Sequence, residues 1–461
     1  MNKVHFIGIG GTGISAIALL LLERGWQISG TDVNPSRYFD ALTAAGATTL
    51  IGHHPDLALQ ADVIVRSSAV KDDDPEVRAA REAGIPVLKR AEFLSQVIED
   101  RTLLAISGSH GKTTTTGMLV SLLRSLGADP SFILGAEVKG LGCNAHAGSD
   151  QYFVIEADEY DNMFLGLSPT LSIVTNIEHD HPDFFPTPEV YLSTFHQFLA
   201  KTRPGGIALL CGDDAGVQTL LGQLDLPGVD VFTYGFGLQN TFVATHCAWD
   251  GEASNFEIIR QLDENALRSL GNYRLGLAGR HNILNATAAL ASLHLQGFDL
   301  AGHEEALASF QGTERRFEKV YENAGVTIIN DYAHHPTQVR ATLSAARDAY
   351  PNRTLWVVWE PHTFSRTERM RAEFVQALDF ADRVMVSRIY AAREADDGFT
   401  PQVISDELGS KAAYIPDFQQ LAKTIAAETT RNDVVLVLSA GKGPQLSALL
   451  AQELESRKEC E

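Results

Sequence analysis

The chain has 461 residues, of which 44% are hydrophobic and 21% are charged, a balance typical of a folded globular protein. Its length predicts about three domains. Acidic residues outnumber basic ones by 58 to 37, which gives a formal net charge of -21. A negative overall field repels polyanions, so we expect neither nucleic acid nor a membrane to be a main partner.

The amino terminus enters an apolar strand within a few residues and shows none of the charged and apolar regions of a signal peptide. The longest apolar candidate for a membrane span, Ile14 to Leu22, is too short to cross a bilayer. The cysteines lack paired CxxC spacing, so neither a disulfide framework nor a zinc site is indicated. We therefore expect a cytoplasmic protein; its four cysteines are Cys143, Cys211, Cys247 and Cys460.

Short apolar runs alternate with helical stretches along the chain, which predicts an α/β fold with parallel βαβ units. The first predicted domain covers residues 1–99. The second covers residues 100–311 and starts anew with the apolar run Thr102 to Ser107, a glycine-containing loop and an apolar helix. The third covers residues 312–461 and begins with the apolar run Val326 to Asn330.

A glycine-rich turn, Gly8 to Gly13, follows the first strand and opens a helix. Such a turn brings backbone NH groups to a diphosphate at a helix N-terminus. Asp32 ends the next strand, where a ribose contact is expected. By itself the pattern also fits an NAD or FAD site, or a tight turn used only for packing, so it predicts a phosphate site and not its ligand.

A second phosphate-binding pattern follows the strand at Thr102 to Ser107. It has the Gly-Lys-Thr core of a P-loop, although Ile106 occupies the position of the usual first glycine. A P-loop offers a triphosphate backbone amides, a lysine and a hydroxyl that binds magnesium. We prefer ATP binding to the alternative of a basic residue that caps a helix turn; the predicted ATP contacts are Gly108, Ser109, His110, Gly111, Lys112, Thr113 and Thr114.

Acidic side chains follow two later apolar runs, at Glu156 to Glu159 and at Asn176 to His181. The carboxyl ends of parallel strands share one edge of a sheet, so both groups should lie near the P-loop. Carboxylate oxygens suit Mg²⁺, which prefers hard ligands and bridges protein to phosphates. A single acidic cluster is more often solvated surface, but two clusters behind a P-loop favour a magnesium site.

Three further polar strings carry candidate contacts: GRHNILN at 279–285, RRF at 315–317 and DYAHHP at 331–336. In the first, His281 and Asn285 are four residues apart and face one side of a helix. Either helix capping or adenine recognition uses such residues. Taken singly, the other two strings would be read as solvated loops.

Taken together, these motifs resemble the Mur ligase family over all three predicted domains. GIGGTGIS, GSHGKTTT, EADE, TNIEHDH, GRHNILN, RRF, NDYAHHP and PHTFSRT occur in the order of that family. The resemblance implies a Rossmann-like N-terminal domain, a central P-loop ATPase-like domain and a Rossmann-like C-terminal domain. GIGGTGIS, Ser67 to Val70 and DYAHHP look most like the member that joins L-alanine to UDP-N-acetylmuramate by way of an acyl phosphate.

That resemblance implies roles for individual residues. UDP-N-acetylmuramate would contact Gly10, Gly11, Thr12, Gly13, Asp32, Ser67 and Ser68. Besides the P-loop, ATP would contact His281, Asn282, Asn285, Arg316 and Asp331, and Mg²⁺ would be held by Thr113, Glu156 and His181. The incoming amino acid would contact Tyr332, His334, His335 and Arg366, and the expected catalytic residues are Lys112, Glu156, His181, His334 and Arg366.

The chain departs from the family pattern at Thr363, where some members carry an arginine that anchors the amino acid's carboxylate. Other members use a carbamoylated lysine; the nearest lysine here is Lys201, and we do not expect its modification. The main alternative is a recycling ligase that adds the tripeptide L-Ala-γ-D-Glu-meso-diaminopimelate. A dinucleotide-dependent oxidoreductase and a catalytically silent relative are more distant alternatives, and either a monomer or a homodimer is expected.

Overall fold

The computed structural model describes residues 2–98, 101–182, 184–263, 266–323, 325–392, 394–396 and 398–458. The expected boundary between the first two domains, at residues 99 and 100, and Cys460 lie outside these ranges. The chain forms two compact units. The first comprises Met1–Ala248, Asn255–Gly276 and Asn282–Gln311, and the second comprises Trp249–Ser254, Leu277–His281 and Gly312–Glu461.

The first sheet, in the first unit, has five parallel strands in the order β3-β2-β1-β4-β5. The strand order reverses between β1 and β4, so the loop after β1 lies where open α/β sheets bind ligands. The strands are β1 (Lys3–Ile7), β2 (Gln27–Asp32), β3 (Thr48–Ile51), β4 (Val63–Arg66) and β5 (Val87–Lys89), and the helices are α1 (Thr12–Glu23), α2 (Arg37–Ala44), α3 (Pro55–Ala58), α4 (Pro75–Glu82) and α5 (Arg90–Ile98).

The second sheet belongs to the same unit and has ten strands in the order β15-β14-β13-β12-β11-β10-β6-β9-β7-β8. β6 lies between two parallel neighbours, β10 and β9. Its strands are β6 (Thr102–Ser107), β7 (Ser131–Ile133), β8 (Ala145–His146), β9 (Tyr152–Glu156), β10 (Leu171–Val174), β11 (Ile207–Cys211), β12 (Asp230–Gly235), β13 (Phe242–Trp249), β14 (Ser254–Asp263) and β15 (Ala266–Leu275). The accompanying helices are α6 (Lys112–Ser125), a 3-10 helix (Tyr160–Gly166), α7 (Pro188–Leu199), α8 (Ala215–Leu221) and α9 (Arg280–Leu295).

The third sheet, in the second unit, has six strands in the order β16-β17-β21-β18-β19-β20, and only β16 runs antiparallel to its neighbour. The strands are β16 (Glu318–Asn323), β17 (Val326–Asp331), β18 (Thr354–Glu360), β19 (Arg383–Val386), β20 (Ala412–Tyr414) and β21 (Asp433–Ser439). The helices are α10 (Pro336–Ala349), α11 (Phe364–Arg369), α12 (Arg371–Leu378), α13 (Gln402–Leu408), a 3-10 helix (Gly409–Lys411), α14 (Phe418–Glu428) and α15 (Gly443–Lys458). No helix in the described part of the chain is long and apolar enough to cross a membrane.

A buried carboxylate joins α4 to the first sheet. Glu76 is fully buried; it accepts hydrogen bonds from the Thr31 hydroxyl at 2.7 Å and from the backbone NH of His54, and its Oε2 lies 3.5 Å from His5 Nε2. Burial raises the pKa of Glu76, but these partners together outweigh it and hold the pKa below its ordinary value of 4.5. The ionised carboxylate therefore stabilises the folded domain.

We expect Glu76→Gln to lower the free energy of unfolding by about 1–3 kcal/mol at neutral pH, because it removes a charged acceptor from buried donors. The folded-state pKa is depressed, so the wild-type contribution is present above the unfolded-state pKa and disappears as pH falls through the folded-state value. Urea denaturation between pH 7 and pH 3 should show that the free energy of unfolding falls less steeply with pH in the variant than in the wild type. Glu82→Gln, on the exposed end of the same helix, is the control; identical pH profiles for Glu76→Gln and wild type would contradict this.

Candidate active site

The glycine turn after β1 is held by contacts from the two neighbouring strands. Gly8 has a φ of 80°, and a Cβ there would lie 2.9 Å from the Ser67 Cβ at the end of β4. The NH of Gly10 donates to Asp32 Oδ2 at 2.9 Å, and the Ser36 hydroxyl donates to the Gly10 carbonyl at 2.8 Å. Asp32, expected to contact a ribose, thus also accepts a hydrogen bond from the turn itself.

The rest of the first predicted site lies at the start of α1. Gly11 is its N-cap without a side-chain hydrogen bond, and Thr12 and Gly13 form its first turn. Ser67 lies against the turn, whereas Ser68 is exposed. The structure therefore brings the expected phosphate-binding residues together, with an open helix N-terminus at their centre.

The P-loop connects β6 to α6, and its two glycines are required by their surroundings. Gly108 has a φ of 135°, and a Cβ there would lie 2.0 Å from Thr175 Oγ1. Gly111 has a φ of 84°, and a Cβ there would lie 2.6 Å from Asn285 Oδ1 of α9. Asn285, predicted to contact ATP, thus lies beside the loop, and its amide nitrogen donates a hydrogen bond to Asn282 Oδ1 at 3.4 Å.

Side chains from the 175–181 segment fix the loop. The amide of Asn176 accepts from the His110 NH at 2.8 Å and donates to the His110 carbonyl at 2.9 Å. Ser109 Oγ accepts from the Glu178 NH and lies 2.9 Å from the Tyr191 hydroxyl. The His110 ring lies 2.9 Å from Glu178 Oε2. These contacts prearrange the loop before any nucleotide binds.

Lys112, the P-loop lysine, turns back onto its own loop. Its Nζ donates to Glu159 Oε2 at 2.8 Å and to two carbonyl oxygens of the loop. Burial lowers the pKa of Lys112, but the carboxylates of Glu159, Asp158 and Glu156 outweigh it and leave the pKa raised. The lysine is therefore a fixed cation whose charge is offset by these carboxylates.

Glu159 is a candidate functional residue to which the sequence motifs assigned no individual role. It is 1% exposed, accepts from the Tyr191 hydroxyl at 3.3 Å as well as from Lys112, and lies 3.7 Å from His181 Nε2. The available signal was its place in the same acidic string as Glu156. His181, expected to hold magnesium, also has an edge contact with the Tyr160 ring and is 31% exposed.

Glu156 and Thr113 offer two oxygen ligands side by side. The Thr113 hydroxyl donates to Glu156 Oε1 at 3.0 Å, and the NH of Gly135 donates to Glu156 Oε2 at 2.7 Å. Burial raises the pKa of Glu156 more than Lys112 and these hydrogen bonds lower it. A half-buried carboxylate next to a hydroxyl is suited to a hard divalent cation, which would stabilise its charge.

In the second unit, the nucleotide candidates are His281 at the start of α9, Arg316 just before β16 and Asp331 at the end of β17. Asp331 accepts from the NH groups of Phe317 and Ala333, each at 2.7 Å. Burial raises its pKa, and Arg316 opposes that rise. Burial and then the Arg316 charge lower the pKa of His281 to about 4, so its ring is neutral at neutral pH.

Two amino acid candidates of the same unit, Tyr332 and His334, belong to a row of side chains in contact. The Tyr332 ring lies under the guanidinium groups of Arg315 and Arg316, at 4.7 and 5.1 Å, and contacts the His334 ring. His334 in turn contacts the ring of His362 at 5.3 Å. Sequence reasoning quoted His362 only as part of a motif and assigned it no role.

Thr363 and Arg366 both follow His362 in the chain. The Arg366 guanidinium, 6% exposed, lies 2.8 Å from His362 Nδ1, which must accept because guanidinium only donates. Thr363 has a φ of 63°, a strained conformation for a β-branched residue. His335, also expected at the amino acid, is 1% exposed and caps α10, with its ring accepting from the Thr337 NH at 3.4 Å.

Family models match nearly the whole chain. A Mur ligase family, catalytic domain model matches residues 3–102, a Mur ligase middle domain model matches 106–293, and a Mur ligase glutamate ligase domain model matches 315–441. This chain belongs to the Mur ligase family. The three-domain Mur ligase architecture predicted from the motifs is thus confirmed, and the P-loop of the middle domain is the ATP-binding element expected of such a ligase.

Curated relatives of this Mur ligase match over almost their full length. UDP-N-acetylmuramate–L-alanine ligases of Acidithiobacillus ferrooxidans and Mycolicibacterium vanbaalenii are each 40% identical to it, over 97% and 99% of the chain and 97% of the relative. The solved UDP-N-acetylmuramate-alanine ligase of Thermotoga maritima is 27% identical, with a TM-score of 0.82 and 99% of both chains covered. A murein peptide ligase of Psychrobacter arcticus, 24% identical with a TM-score of 0.71, shares the fold over 98% of this chain and 99% of its own.

Proposed function

We propose that this Mur ligase joins L-alanine to the lactyl carboxylate of UDP-N-acetylmuramate, with conversion of ATP to ADP and phosphate. One observation carries the proposal: a P-loop lysine paired with a buried carboxylate occurs in a chain that matches L-alanine ligases from end to end. The tripeptide-adding alternative is less well supported, because the peptide ligase neighbour supports only a shared fold. We place the reaction in the cytoplasm, where peptidoglycan precursors are made.

The reaction has two steps. A lactyl carboxylate oxygen attacks the γ-phosphorus of ATP, the bond to the β–γ bridging oxygen breaks, and ADP leaves with that electron pair. The alanine amine then attacks the resulting acyl phosphate, loses a proton and expels phosphate, which leaves the amide. In the first step an anionic carboxylate approaches the negatively charged triphosphate, and in the second an amine approaches the acyl phosphate. Positioning of the reactants and neutralisation of phosphate charge therefore supply most of the catalysis.

Lys112 would neutralise the transferring phosphoryl group. Its ammonium must leave Glu159 and the loop carbonyls to reach phosphate oxygens, and the loop's own NH groups then receive the remaining negative charge. Glu159 and Tyr191 would hold the lysine ready between turnovers. Magnesium is proposed, with Thr113, Glu156 and His181 to hold it; when bound, it would offset phosphate charge near the reacting carboxylate.

Further roles are assigned to residues outside the P-loop. We assign Arg316 to the phosphates and Asp331 to the ribose, and Arg366 to the alanine carboxylate, since a guanidinium pairs with a carboxylate through two hydrogen bonds. Its importance is greater here because Thr363 cannot provide a second cation. His281, Asn282 and Asn285 are assigned to adenine.

His334 is proposed to orient the alanine amine. Its Nδ1 lies 2.8 Å from the Tyr332 carbonyl, and a carbonyl only accepts, so Nδ1 carries the proton and Nε2 of the neutral ring is an acceptor. Such an acceptor can take a hydrogen bond from the ammonium or amine. Tyr332 and His335 are assigned to the same amino acid site, while the glycine turn, with Ser67 and Ser68, is assigned to UDP-N-acetylmuramate.

The direct test is phosphate release from ATP and Mg²⁺ with UDP-N-acetylmuramate, measured with L-alanine and with the tripeptide in separate reactions. We expect release with alanine to exceed release with tripeptide by at least about a hundred-fold, because a site that pairs with a small amino acid's carboxylate and amine leaves a longer peptide unmatched. Omitting each component in turn is the control. Release with tripeptide alone would move the chain to the recycling reaction, and no release with either would contradict the ligase proposal.

A further inference from the structure

Arg90 makes contacts that the roles assigned above do not use. It is the first residue of α5, and its side chain is 19% exposed. Its Nη2 donates to Asp158 Oδ2 at 3.1 Å, in the acidic segment after β9. On its other side, a Cβ built on Gly13 would lie only 2.0 Å from Arg90 Nη1, so the guanidinium packs against the first turn of α1.

A cavity of about 210 Å³ lies where these elements meet. Thr12 and Gly13 line one part of it, and Glu156 and Asp158 line another. Its remaining wall is mainly apolar. Arg90 is the single basic residue among the described residues that line this cavity.

The positive groups of this cavity lie on the side of the glycine turn, and its two carboxylates, Glu156 and Asp158, lie at the end of β9 and just after it. The N-terminus of α1 carries partial positive charge on NH groups that no side chain caps, and Arg90 adds a full positive charge beside it. Asp158 pairs with Nη2 of the guanidinium, whereas Nη1 faces Gly13 in the first turn of α1. A guanidinium beside uncapped backbone NH groups is a common arrangement for binding phosphate.

We propose that Arg90 is a binding residue for the diphosphate of the nucleotide-sugar substrate, acting with the first turn of α1, and that Asp158 is a positioning residue that holds its guanidinium. This inference rests on the proposed function for the identity of the substrate. It commits to the diphosphate over the lactyl carboxylate because the guanidinium packs on Gly13 of the phosphate-binding turn. Gly13 is then required for a second reason, since a side chain there would displace Arg90.

The test is calorimetric binding of UDP and of UMP to the full-length protein, together with KM values for each substrate. We expect Arg90→Met to weaken UDP binding about ten- to hundred-fold, since it removes a charged hydrogen-bond donor, and to weaken UMP binding less. The KM for UDP-N-acetylmuramate should rise by a similar factor, with the KM values for ATP and alanine unchanged. Arg90→Lys keeps the positive charge but loses the paired donors of the guanidinium, so it should recover part of the affinity for UDP.

Two further variants separate binding from structural support. Asp158→Asn keeps the Arg90 cation, so it should reduce UDP affinity less than Arg90→Met does; equal losses would show that the ion pair acts only as a brace and would overturn the proposal. Arg78→Met, on the exposed face of α4, is the matched control and should bind UDP as wild type does.

Other outcomes are equally decisive. Unchanged UDP affinity in Arg90→Met would overturn the proposal, and if the KM for UDP-N-acetylmuramate rose alone, Arg90 would belong to the lactyl carboxylate instead. A wild-type protein that binds UDP but ligates no amino acid would contradict the proposed function while leaving the Arg90 assignment intact. A wild-type protein that does not bind UDP would overturn the Arg90 assignment itself.

Discussion

Lys112→Met should lower alanine-dependent phosphate release at least about a thousand-fold, because it removes the cation that would neutralise the transferring phosphoryl group. The effect should be on kcat, since the lysine matters most where charge develops. Stopped-flow detection of phosphate at saturating substrates measures it. Lys71→Met, at an exposed position in the first domain, should behave as wild type.

The same variant leaves Glu159 buried without its partner, which would destabilise the fold and complicate the result. Adding Glu159→Gln to Lys112→Met removes that charge, so the double variant should regain thermal stability without regaining turnover. Recovery of turnover along with stability would show that Lys112 acts only through folding. Wild-type turnover in the single variant Lys112→Met would contradict a role for the P-loop lysine in the reaction.

Glu156→Gln should lower kcat about a hundred- to a thousand-fold and raise the Mg²⁺ concentration needed for half-maximal rate. The amide keeps the shape of the side chain and can still accept from Gly135, but it lacks the charge that a divalent cation needs. Titration of the rate with Mg²⁺ at fixed ATP measures both effects. The variant should fold as wild type does, because burial raises the pKa of Glu156 and so disfavours the charged form that the substitution removes.

Glu189→Gln, on the exposed first turn of α7, is the matched control for this change. A Glu156→Gln variant with the wild-type kcat and the wild-type dependence on Mg²⁺ would contradict the magnesium assignment. A fall in kcat with an unchanged dependence on Mg²⁺ would show that Glu156 acts in the site as a partner of Thr113 and that Mg²⁺ binds to other residues.

The sequence alone determined the parts of this protein that local pattern controls. The apolar runs that became β1, β6 and β17 are continuous and bounded by glycine or polar residues, so their burial was predictable. Glycine turns at strand ends predicted phosphate sites, because glycine adopts the positive φ angles seen at Gly8 and Gly108 without steric strain. The order of the motifs then indicated the family over all three domains.

Local pattern was weaker where strands are partly exposed. β3 and β15 were not predicted, since their mixed exposed and half-buried positions lack the apolar continuity of a central strand. Side-chain partners were also beyond the sequence. Arg90 meets Gly13 and Asp158 only because parallel strands bring distant loops to one edge of the unit.

Glu159 and His362 show the same limit within single motifs. The string EADE contains three carboxylates, and only burial and the 2.8 Å contact with Lys112 distinguish Glu159 from its neighbours. His362 stands out only through its contacts with His334 and Arg366. The sequence therefore determined which chemistry this protein carries, whereas the tertiary structure decided which side chains share it, because pairing across loops depends on distances that no local pattern encodes.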